Sequence, residues 1–351
     1  MGDYQAERAK NYVKTAKMLL EKGADINAQG GEYGNVLHAA IISQNTEAAK
    51  MLLKKGADVN AQSGPYGKVL QAAIAKQNTK VAKMLLERGA DVNARGGKYG
   101  SALQAAAAKQ NTEVVKMLLE KGADVNARGG IYGNALLAAA ANENTEVMKM
   151  LLEKGADVNA RNEYGSALGQ AILDENTEVA KMLLEGGANV NTHCGEYGTA
   201  LQLAVTEGNT EVAKMLLEKG ADVNLQYGGY GSALQAAAAG GNTEVAKILL
   251  EKGADINAQG GQYGNALLAA IVTYETDTAK MLLEEGADIN AHSGEFGSAL
   301  YAAALRGNTE VVKILLEKGL DVNVEGGKYG NALQAAVVAG NPEMAKLLQL
   351  L

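Results

Sequence analysis

Side chains that could act as a nucleophile, a general base or a metal ligand are scarce in this sequence. Its three histidines, His38, His193 and His292, are far apart in the chain, and its one cysteine, Cys194, directly follows His193. A catalytic triad needs a third residue that orients the base, and no acidic residue stands at a spacing that would do so. No phosphate-binding Gly-x-x-x-x-Gly-Lys-Ser/Thr motif occurs either. We therefore predict that the chain is not an enzyme and holds no metal or other cofactor.

Binding chemistry is better represented, because charged residues recur at a fixed spacing. Arg95, Arg128 and Arg161 follow one another at intervals of 33 residues, and a stretch rich in Asp and Glu comes after them. Arginine can bind a carboxylate with two parallel hydrogen bonds, so this column predicts a protein partner with an acidic segment. Large residues at positions that are otherwise small are candidate anchors. The predicted partner-binding residues are Lys76, Arg95, Lys98, Lys109, Arg128, Ile131, Arg161, Asn162, Gln170, Asp174, Tyr227, Tyr274, Tyr301 and Leu305.

A repeat of 33 residues must position these side chains. The tripeptide Gly-Ala-Asp, or a near copy, starts at Gly23 and recurs at this interval through Gly319, except between Gly155 and Gly187, which are 32 residues apart. A repeat of this size cannot bury its apolar face alone, so neighbouring copies must stack on one another. No linker interrupts the series. Residues 1–351 are therefore predicted to form a single elongated domain.

One repeat shows how the others are expected to fold. Ser101 can cap a helix, and Gln104, three residues later, can complete a capping box. Asn111 can cap a second helix, which should end at Gly122, since glycine suits the left-handed conformation that follows a helix. The glycine-rich remainder predicts a projecting hairpin, which we call a finger. The recurring column of Met117 is expected in the core.

Applied along the chain, this pattern predicts an all-α solenoid of about eleven helix pairs and ten fingers. Residues 1–22 are expected to form an N-terminal capping helix pair. Residues 23–330 should contain the ten fingers with nine intervening helix pairs, and residues 331–351 the last pair. Glu7 and Arg8 are polar where other repeats are apolar, which favours a solvent-facing cap.

Composition limits the classes of function. Hydrophobic residues make up 47% of the chain, there is no Trp, and the net charge is −7. This charge disfavours nucleic acid and anionic membranes as partners. The apolar run of residues 135–141 is too short to span a bilayer, and residues 1–3 do not resemble a signal peptide. A single cysteine excludes an internal disulfide framework, so we expect a cytoplasmic protein.

Helix, turn, helix and finger at a period of 33 residues resembles the ankyrin repeat along essentially the whole chain. The ending Gly-Ala-Asp-Val-Asn-Ala of that family is nearly verbatim at residues 89–94, and its Thr-Pro-Leu-His signature is replaced by Asn/Ser-Ala-Leu-Gln, with His38 the one retained histidine. The variant Tyr-Gly-Asn-Ala-Leu-Gln looks like the ankyrin arrays of filamentous fungi. The resemblance implies a protein-binding scaffold that uses its fingertips and concave groove. Without the usual Thr and His, glutamine together with Asn or Ser must tie consecutive loops.

Two alternatives stay open. The fifth repeat has a finger one residue short at Asn162, Gly169 stands where Gln usually occurs, and Gln170 replaces a small residue. Coincident departures of this kind indicate either a functional site or a neutral deletion with local repair. An ankyrin-fold enzyme or small-ligand binder near Gln170 is the second hypothesis. An engineered repeat scaffold is the third, because the copies are so alike.

The end of the sequence generates a further expectation. Residues 347–351 are rich in leucine and carry no polar replacements like those at the N-terminus. An apolar face that no neighbouring repeat covers marks a contact. We expect either a longer natural chain or self-association through this leucine-rich end.

Overall fold

The computed structural model describes residues 2–30, 33–62, 66–293 and 296–349, with side chains from Tyr12 onward. It consists of two compact units, Met1–Ala167 and Leu168–Leu351, which we call the N-terminal and C-terminal units and describe separately. The prediction of one elongated domain stays a prediction. The side chains of Glu7 and Arg8, and residues 350 and 351, lie outside the described part of the chain.

The described residues form 21 α-helices, which confirms the predicted all-α repeat fold. The first helix is α1 (Gly2–Glu21). Ten helix pairs follow, with these bounds: α2 (Val36–Ile42) and α3 (Thr46–Lys54), α4 (Val69–Ala75) and α5 (Thr79–Glu87), α6 (Ala102–Ala108) and α7 (Thr112–Glu120), α8 (Ala135–Ala140) and α9 (Thr145–Glu153), α10 (Ala167–Leu173) and α11 (Thr177–Glu185), α12 (Ala200–Thr206) and α13 (Thr210–Glu218), α14 (Ala233–Ala239) and α15 (Thr243–Glu251), α16 (Ala266–Val272) and α17 (Thr276–Glu284), α18 (Ala299–Arg306) and α19 (Thr309–Glu317), α20 (Ala332–Val338) and α21 (Pro342–Gln349).

The N-terminus differs from the expectation of a helix pair in residues 1–22. This segment forms the single helix α1, of 20 residues. Later repeats separate their two helices with an asparagine that caps the second one, as Asn45 caps α3. The corresponding residue of the first repeat is Tyr12. A tyrosine hydroxyl stands too far from its own backbone to act as a cap, so no local signal interrupts the helix.

Local capping explains where the helices of a typical repeat begin and end. The Ser101 side chain accepts from the Gln104 backbone N–H at the start of α6, and the Asn111 side chain accepts from the Val114 N–H at the start of α7. Between the two helices Gln110 adopts a positive φ of 53°. Gly122, after α7, has a φ of 79°, a conformation that favours glycine.

Small residues on the first helices allow close stacking in each unit. Ala105 and Ala106 of α6 are fully buried, and so is Leu118 of α7. In the N-terminal unit α2, α4, α6 and α8 pack in succession, and in the C-terminal unit α12, α14, α16, α18 and α20 do the same. The methionine column was expected in the core, but Met117 is only half-buried. The core therefore consists mainly of alanine, leucine and valine.

Glutamine ties each of four first helices to the following finger, as the sequence predicted for the missing Thr and His. The buried Gln104 amide donates from Nε2 to the carbonyl oxygens of Ala127, Gly129 and Gly133, at 3.3, 2.8 and 3.0 Å. We call this arrangement the amide clasp. It recurs at Gln71, Gln202 and Gln235.

The clasp also decides how a finger closes. In the finger that Gln71 holds, the Ala94 carbonyl accepts from the glutamine amide. In fingers that no glutamine holds, the equivalent carbonyl accepts from the chain's own backbone, as when Val69 N–H donates to Ala61. Buried carbonyl groups need one donor or the other. The fingers that no glutamine holds include both short hairpins of the described residues. These are β1 (Arg161–Asn162) with β2 (Gly165–Ser166) and β3 (His292–Ser293) with β4 (Gly297–Ser298).

A second set of polar contacts joins neighbouring fingers. The Asn93 side chain accepts from the Asp124 backbone N–H at 2.7 Å and donates to the Gly122 carbonyl at 3.0 Å. The Asp124 carboxylate then accepts from the Asn126 N–H in its own finger. The recurring Asp-x-Asn of the sequence is thus a ladder between repeats, and it is structural.

The last repeat exposes one apolar edge. Leu348 is buried and Leu347 half-buried, so these leucines are not the exposed patch that the sequence led us to expect. Among the residues described here, Val337 and Val338 of α20 are the aliphatic side chains of the last repeat that are largely exposed. Self-association through the leucine-rich end stays a prediction.

Gln235 and Gln334 offer a matched test of the amide clasp in the C-terminal unit. Both complete a capping box, but Gln235 is buried against the next finger whereas Gln334 is exposed. We expect Gln235→Ala to lower the free energy of unfolding by about 2 kcal/mol, because buried carbonyls lose their donor. Gln334→Ala should cost less than about 0.5 kcal/mol. Urea denaturation followed by circular dichroism measures both, and equal losses would contradict a special role for the clasp.

Candidate functional site

Three lysines of the N-terminal unit lie over tyrosine rings. Lys76, directly after α4, places its Nζ 5.3 Å from the centre of the Tyr66 ring. Lys98 and Lys109 place theirs 5.9 and 5.8 Å from the centre of the Tyr99 ring. We call these five residues the basic face. Among the described residues, none of the three lysines takes part in an ion pair.

Two ammonium groups therefore share the Tyr99 ring. A tyrosine face attracts a cation through its quadrupole. A carboxylate near Lys98 and Lys109 would be attracted by both ammonium groups. The basic face can thus bind an anionic group, and the aromatic rings beside it supply apolar contact.

The arginine column is arranged differently from the sequence prediction. Arg95 forms an ion pair with Asp124 at 2.9 Å and also donates to the Arg128 carbonyl at 3.0 Å. Arg128 pairs with Asp157 at 3.6 Å. In each pair the carboxylate comes from the neighbouring finger, so these arginines connect fingers. Arg161 is exposed in β1, and a role of the column in partner binding stays a prediction.

Two further predicted residues of this unit have clear positions. Ile131 is exposed at a fingertip, where its backbone N–H donates to the Lys98 carbonyl. Asn162 donates from Nδ2 to the Tyr132 carbonyl at 3.1 Å and accepts from the Tyr164 N–H. Asn162 thus stands in for the amide clasp, because the preceding first helix carries Leu137 in the clasp column.

An open cleft of about 360 Å³ adjoins the basic face at the junction between α4 and α5. Lys76, Gln77 and Lys80 line it together with neighbouring polar residues. Gln77 has a φ of 56°, and the equivalent Gln44 and Gln110 are similar. A non-glycine residue is uncommon at positive φ, so these three glutamines adopt a backbone conformation that costs free energy.

In the C-terminal unit the residues predicted to bind a partner divide into paired and exposed side chains. Gln170 donates from Nε2 to Asp174 Oδ1 at 2.9 Å, one turn later on α10. The second hypothesis placed a ligand at the Gln170 amide. In the structure this amide group donates to Asp174 instead. Tyr227 is exposed, and its ring meets the His193 ring edge-on with 5.3 Å between the two ring centres. Leu305 is half-buried at the end of α18.

The prediction that Tyr301 is an exposed anchor was wrong. Tyr301 is only 2% exposed. It occupies the clasp column, where its ring covers the next finger so closely that a Cβ on Gly327 would lie about 2.2 Å from it. Its hydroxyl accepts from the Tyr329 N–H at 3.2 Å. Tyr301 therefore replaces the glutamine of the clasp and is structural.

Sequence reasoning missed the role of the tyrosine column and of Arg306. Tyr66 and Tyr99 were not among the predicted partner-binding residues, although each stands ten positions before a lysine that reaches back to its ring. That recurring Tyr–Lys spacing was the available signal. Arg306 lies over the Tyr274 ring. The two residues occupy different positions of their repeats, and the packing of α16 against α18 brings their side chains together.

The described residues contain no group of three or more His, Cys, Asp or Glu side chains that could hold a metal ion. None of the helices described is both long and apolar enough to cross a membrane.

Comparison with known proteins identifies relatives of the fold. A family model described as ankyrin repeats (three copies) matches residues 4–96, 94–162, 136–227, 226–293 and 268–350. The human ASB11 ankyrin repeat domain is 31% identical, with a TM-score of 0.52 over 61% of this chain and 96% of that one. The ankyrin repeat domain of Bcl-3, described as a unique member of the IkappaB protein family, is 25% identical, with a TM-score of 0.53 over 63% and 99%. No curated protein sequence matched the chain. The likeness to fungal arrays stays a prediction.

His38 generates a prediction about pH. It occupies the clasp column, and its Nδ1 lies 2.9 Å from the Tyr33 carbonyl oxygen. Burial lowers the pKa of this imidazole below its ordinary value of 6.5, against a smaller opposite effect of the Tyr33 hydrogen bond. Below pH 6.5 the unfolded chain therefore binds a proton that the folded chain resists. We expect stability to fall as the pH falls from 7 to 5, and to fall less in His38→Gln.

The measurement is the urea midpoint of both proteins across this pH range. Glutamine is the matched replacement, because it occurs at the same column in five other repeats and does not titrate. The same pH dependence in both proteins would contradict a contribution of His38.

Proposed function

Because the chain belongs to the ankyrin repeat family, we propose that it is a protein-interaction scaffold whose basic face binds an acidic segment of a partner protein. The observation that carries this proposal is the group of lysines on Tyr66 and Tyr99 that makes no ion pair among the described residues. The neighbouring arginines have carboxylates already, so the proposal moves the acidic partner from Arg95 and Arg128 to the lysines.

The spacing of the repeats suggests the form of the segment. Lys76 and Lys109 occupy the same position in adjacent repeats, directly after α4 and α6. Packed helices lie about 8–10 Å apart, and an extended chain advances about 3.3 Å per residue. An extended peptide would therefore present an acidic side chain to each lysine if its acidic residues stand at every third position.

Amide side chains beside the lysines fit the same ligand. Gln44, Gln77 and Gln110 form a row at the junctions between first and second helices, at positive φ. Amide groups both donate and accept, so they can bind the backbone of an extended peptide irrespective of its sequence. The lysines then supply the preference for acidic residues.

A pair of isomeric peptides tests the proposal. One carries Glu at every third position between Ser and Gly residues, and the other has the same composition with its Glu residues in one block. We expect the spaced peptide to bind more tightly to the wild type, because only it matches the repeat distance. Fluorescence anisotropy of labelled peptides measures the affinity. Binding should weaken as ionic strength rises to about 0.15 M, where the Debye length is about 8 Å.

Two charge-matched double variants separate the lysines from the arginines. Lys76→Gln with Lys109→Gln should reduce the affinity about tenfold or more, since both ammonium groups are lost. Arg95→Gln with Arg128→Gln removes the same charge from the fingers and should change it less than about threefold. A larger effect of the arginine variant, or no binding of either peptide to the wild type, would refute the basic face as the acidic-peptide site.

A further inference from the structure

The junction between α16 and α17 carries a large aromatic residue, whereas the other junctions of the C-terminal unit have glycine or, at Glu175 with a φ of 54°, an acidic residue. Tyr274 has a φ of 69° there, in the left-handed region. At the equivalent position Gly208, Gly241, Gly307 and Gly340 have φ values of 71°, 67°, 73° and 68°. Glycine adopts this backbone without steric cost, whereas a residue with a bulky side chain is a conformational outlier. A tyrosine at this position therefore needs a reason.

Folding does not supply that reason. The side chain of Tyr274 is 59% exposed, so it gains little from burial. The helix that follows is also poorly capped: Glu275 makes no capping hydrogen bond from its side chain, whereas Asn242 and Asn308 cap α15 and α19. Two local costs thus fall on the same junction. Strain retained without a structural gain points to a functional residue.

The main contact of Tyr274 is Arg306, on the next repeat. The guanidinium carbon of Arg306 lies 5.2 Å from the centre of the Tyr274 ring, and Nη1 donates to the tyrosine hydroxyl at 3.4 Å. No carboxylate of the described residues forms an ion pair with Arg306. A guanidinium has five N–H donors, so an edge remains that can bind a carboxylate through two hydrogen bonds.

Aliphatic side chains flank this pair. Leu305 precedes Arg306 on α18 and is half-buried. Val338 occupies the position of Leu305 in the next repeat and is 56% exposed, and α20 packs directly on α18. Tyrosine and arginine are the residue types most enriched at the energetic centres of protein interfaces. An exposed Tyr–Arg pair beside apolar surface has the composition of such a centre.

We propose that Tyr274, Leu305, Arg306 and Val338 form a docking surface for a protein segment that carries an aliphatic side chain next to an Asp or Glu. We call it the Tyr274 patch. The carboxylate binds the open edge of Arg306, and the aliphatic side chain packs on Leu305 and Val338. This surface lies in the C-terminal unit and does not depend on the basic face of the N-terminal unit.

Selection from a library of short random peptides displayed on phage tests the proposal with the full chain as target. We expect the selected peptides to be enriched in Asp or Glu next to Leu, Ile or Val. Selected peptides are then synthesised, and isothermal titration calorimetry measures their affinity for the wild type and for three patch variants: Tyr274→Gly, Tyr274→Phe and Arg306→Gln.

The variants are expected to give a graded result. Tyr274→Gly should reduce the affinity about tenfold or more, while its melting temperature stays the same or rises, because the backbone strain is relieved. Arg306→Gln should reduce it comparably. Tyr274→Phe keeps the ring under the guanidinium and should retain most of the affinity. Glu143→Gly is the matched control, since it makes the same junction change in the N-terminal unit, at a residue with a φ of 54°, and should leave the affinity unchanged.

Several results would overturn the proposal. Selected peptides without acidic residues would refute the role of Arg306. Equal affinity for the wild type and Tyr274→Gly would refute the patch, and so would a selection that yields no peptide able to distinguish them. A clear fall in the melting temperature of Tyr274→Gly would show that the tyrosine is structural.

Discussion

The structure depends on a buried side-chain amide that holds the finger of the following repeat. At Gln71, Gln104, Gln202 and Gln235 one amide group donates to the carbonyl oxygens of that finger. A carbonyl without a donor in the protein interior costs about 1–3 kcal/mol of stability. These carbonyls would lose their donor if the finger moved away from its neighbour. In these four repeats the following finger is therefore joined by directional hydrogen bonds as well as by apolar packing.

This constraint decides which polar residues remain available to a partner. Fingers held at the repeat distance bring Arg95 to Asp124 and Arg128 to Asp157, so opposite charges of neighbouring repeats neutralise each other. Lys109 stands at the end of a first helix, away from those carboxylates, and contacts Tyr99 instead. Exposed ion pairs contribute little to stability. Here they neutralise Arg95 and Arg128, whereas Lys109 makes no ion pair among the described residues.

Two tyrosines show how tertiary packing separates structural from functional residues. Tyr301 stands in the column of the amide clasp and is buried against the finger that it holds. Tyr274 stands at a helix junction where glycine would fit the backbone better, and it is largely exposed beside Arg306. Burial accounts fully for the first residue. The second has a backbone cost without burial, which is the pattern expected of a binding residue.

The sequence by itself determined the repeat and the local structure within it. The 33-residue period, the caps Ser101 and Asn111 and the terminating Gly122 predicted the helices correctly, because capping and turn chemistry acts over a few neighbouring residues. The single helix α1 could also have been predicted, since Tyr12 occupies a capping position. Only the tertiary structure decided that Tyr301 is buried and that Arg95 meets Asp124. These contacts depend on the distance and orientation between stacked repeats, which no spacing along the chain specifies.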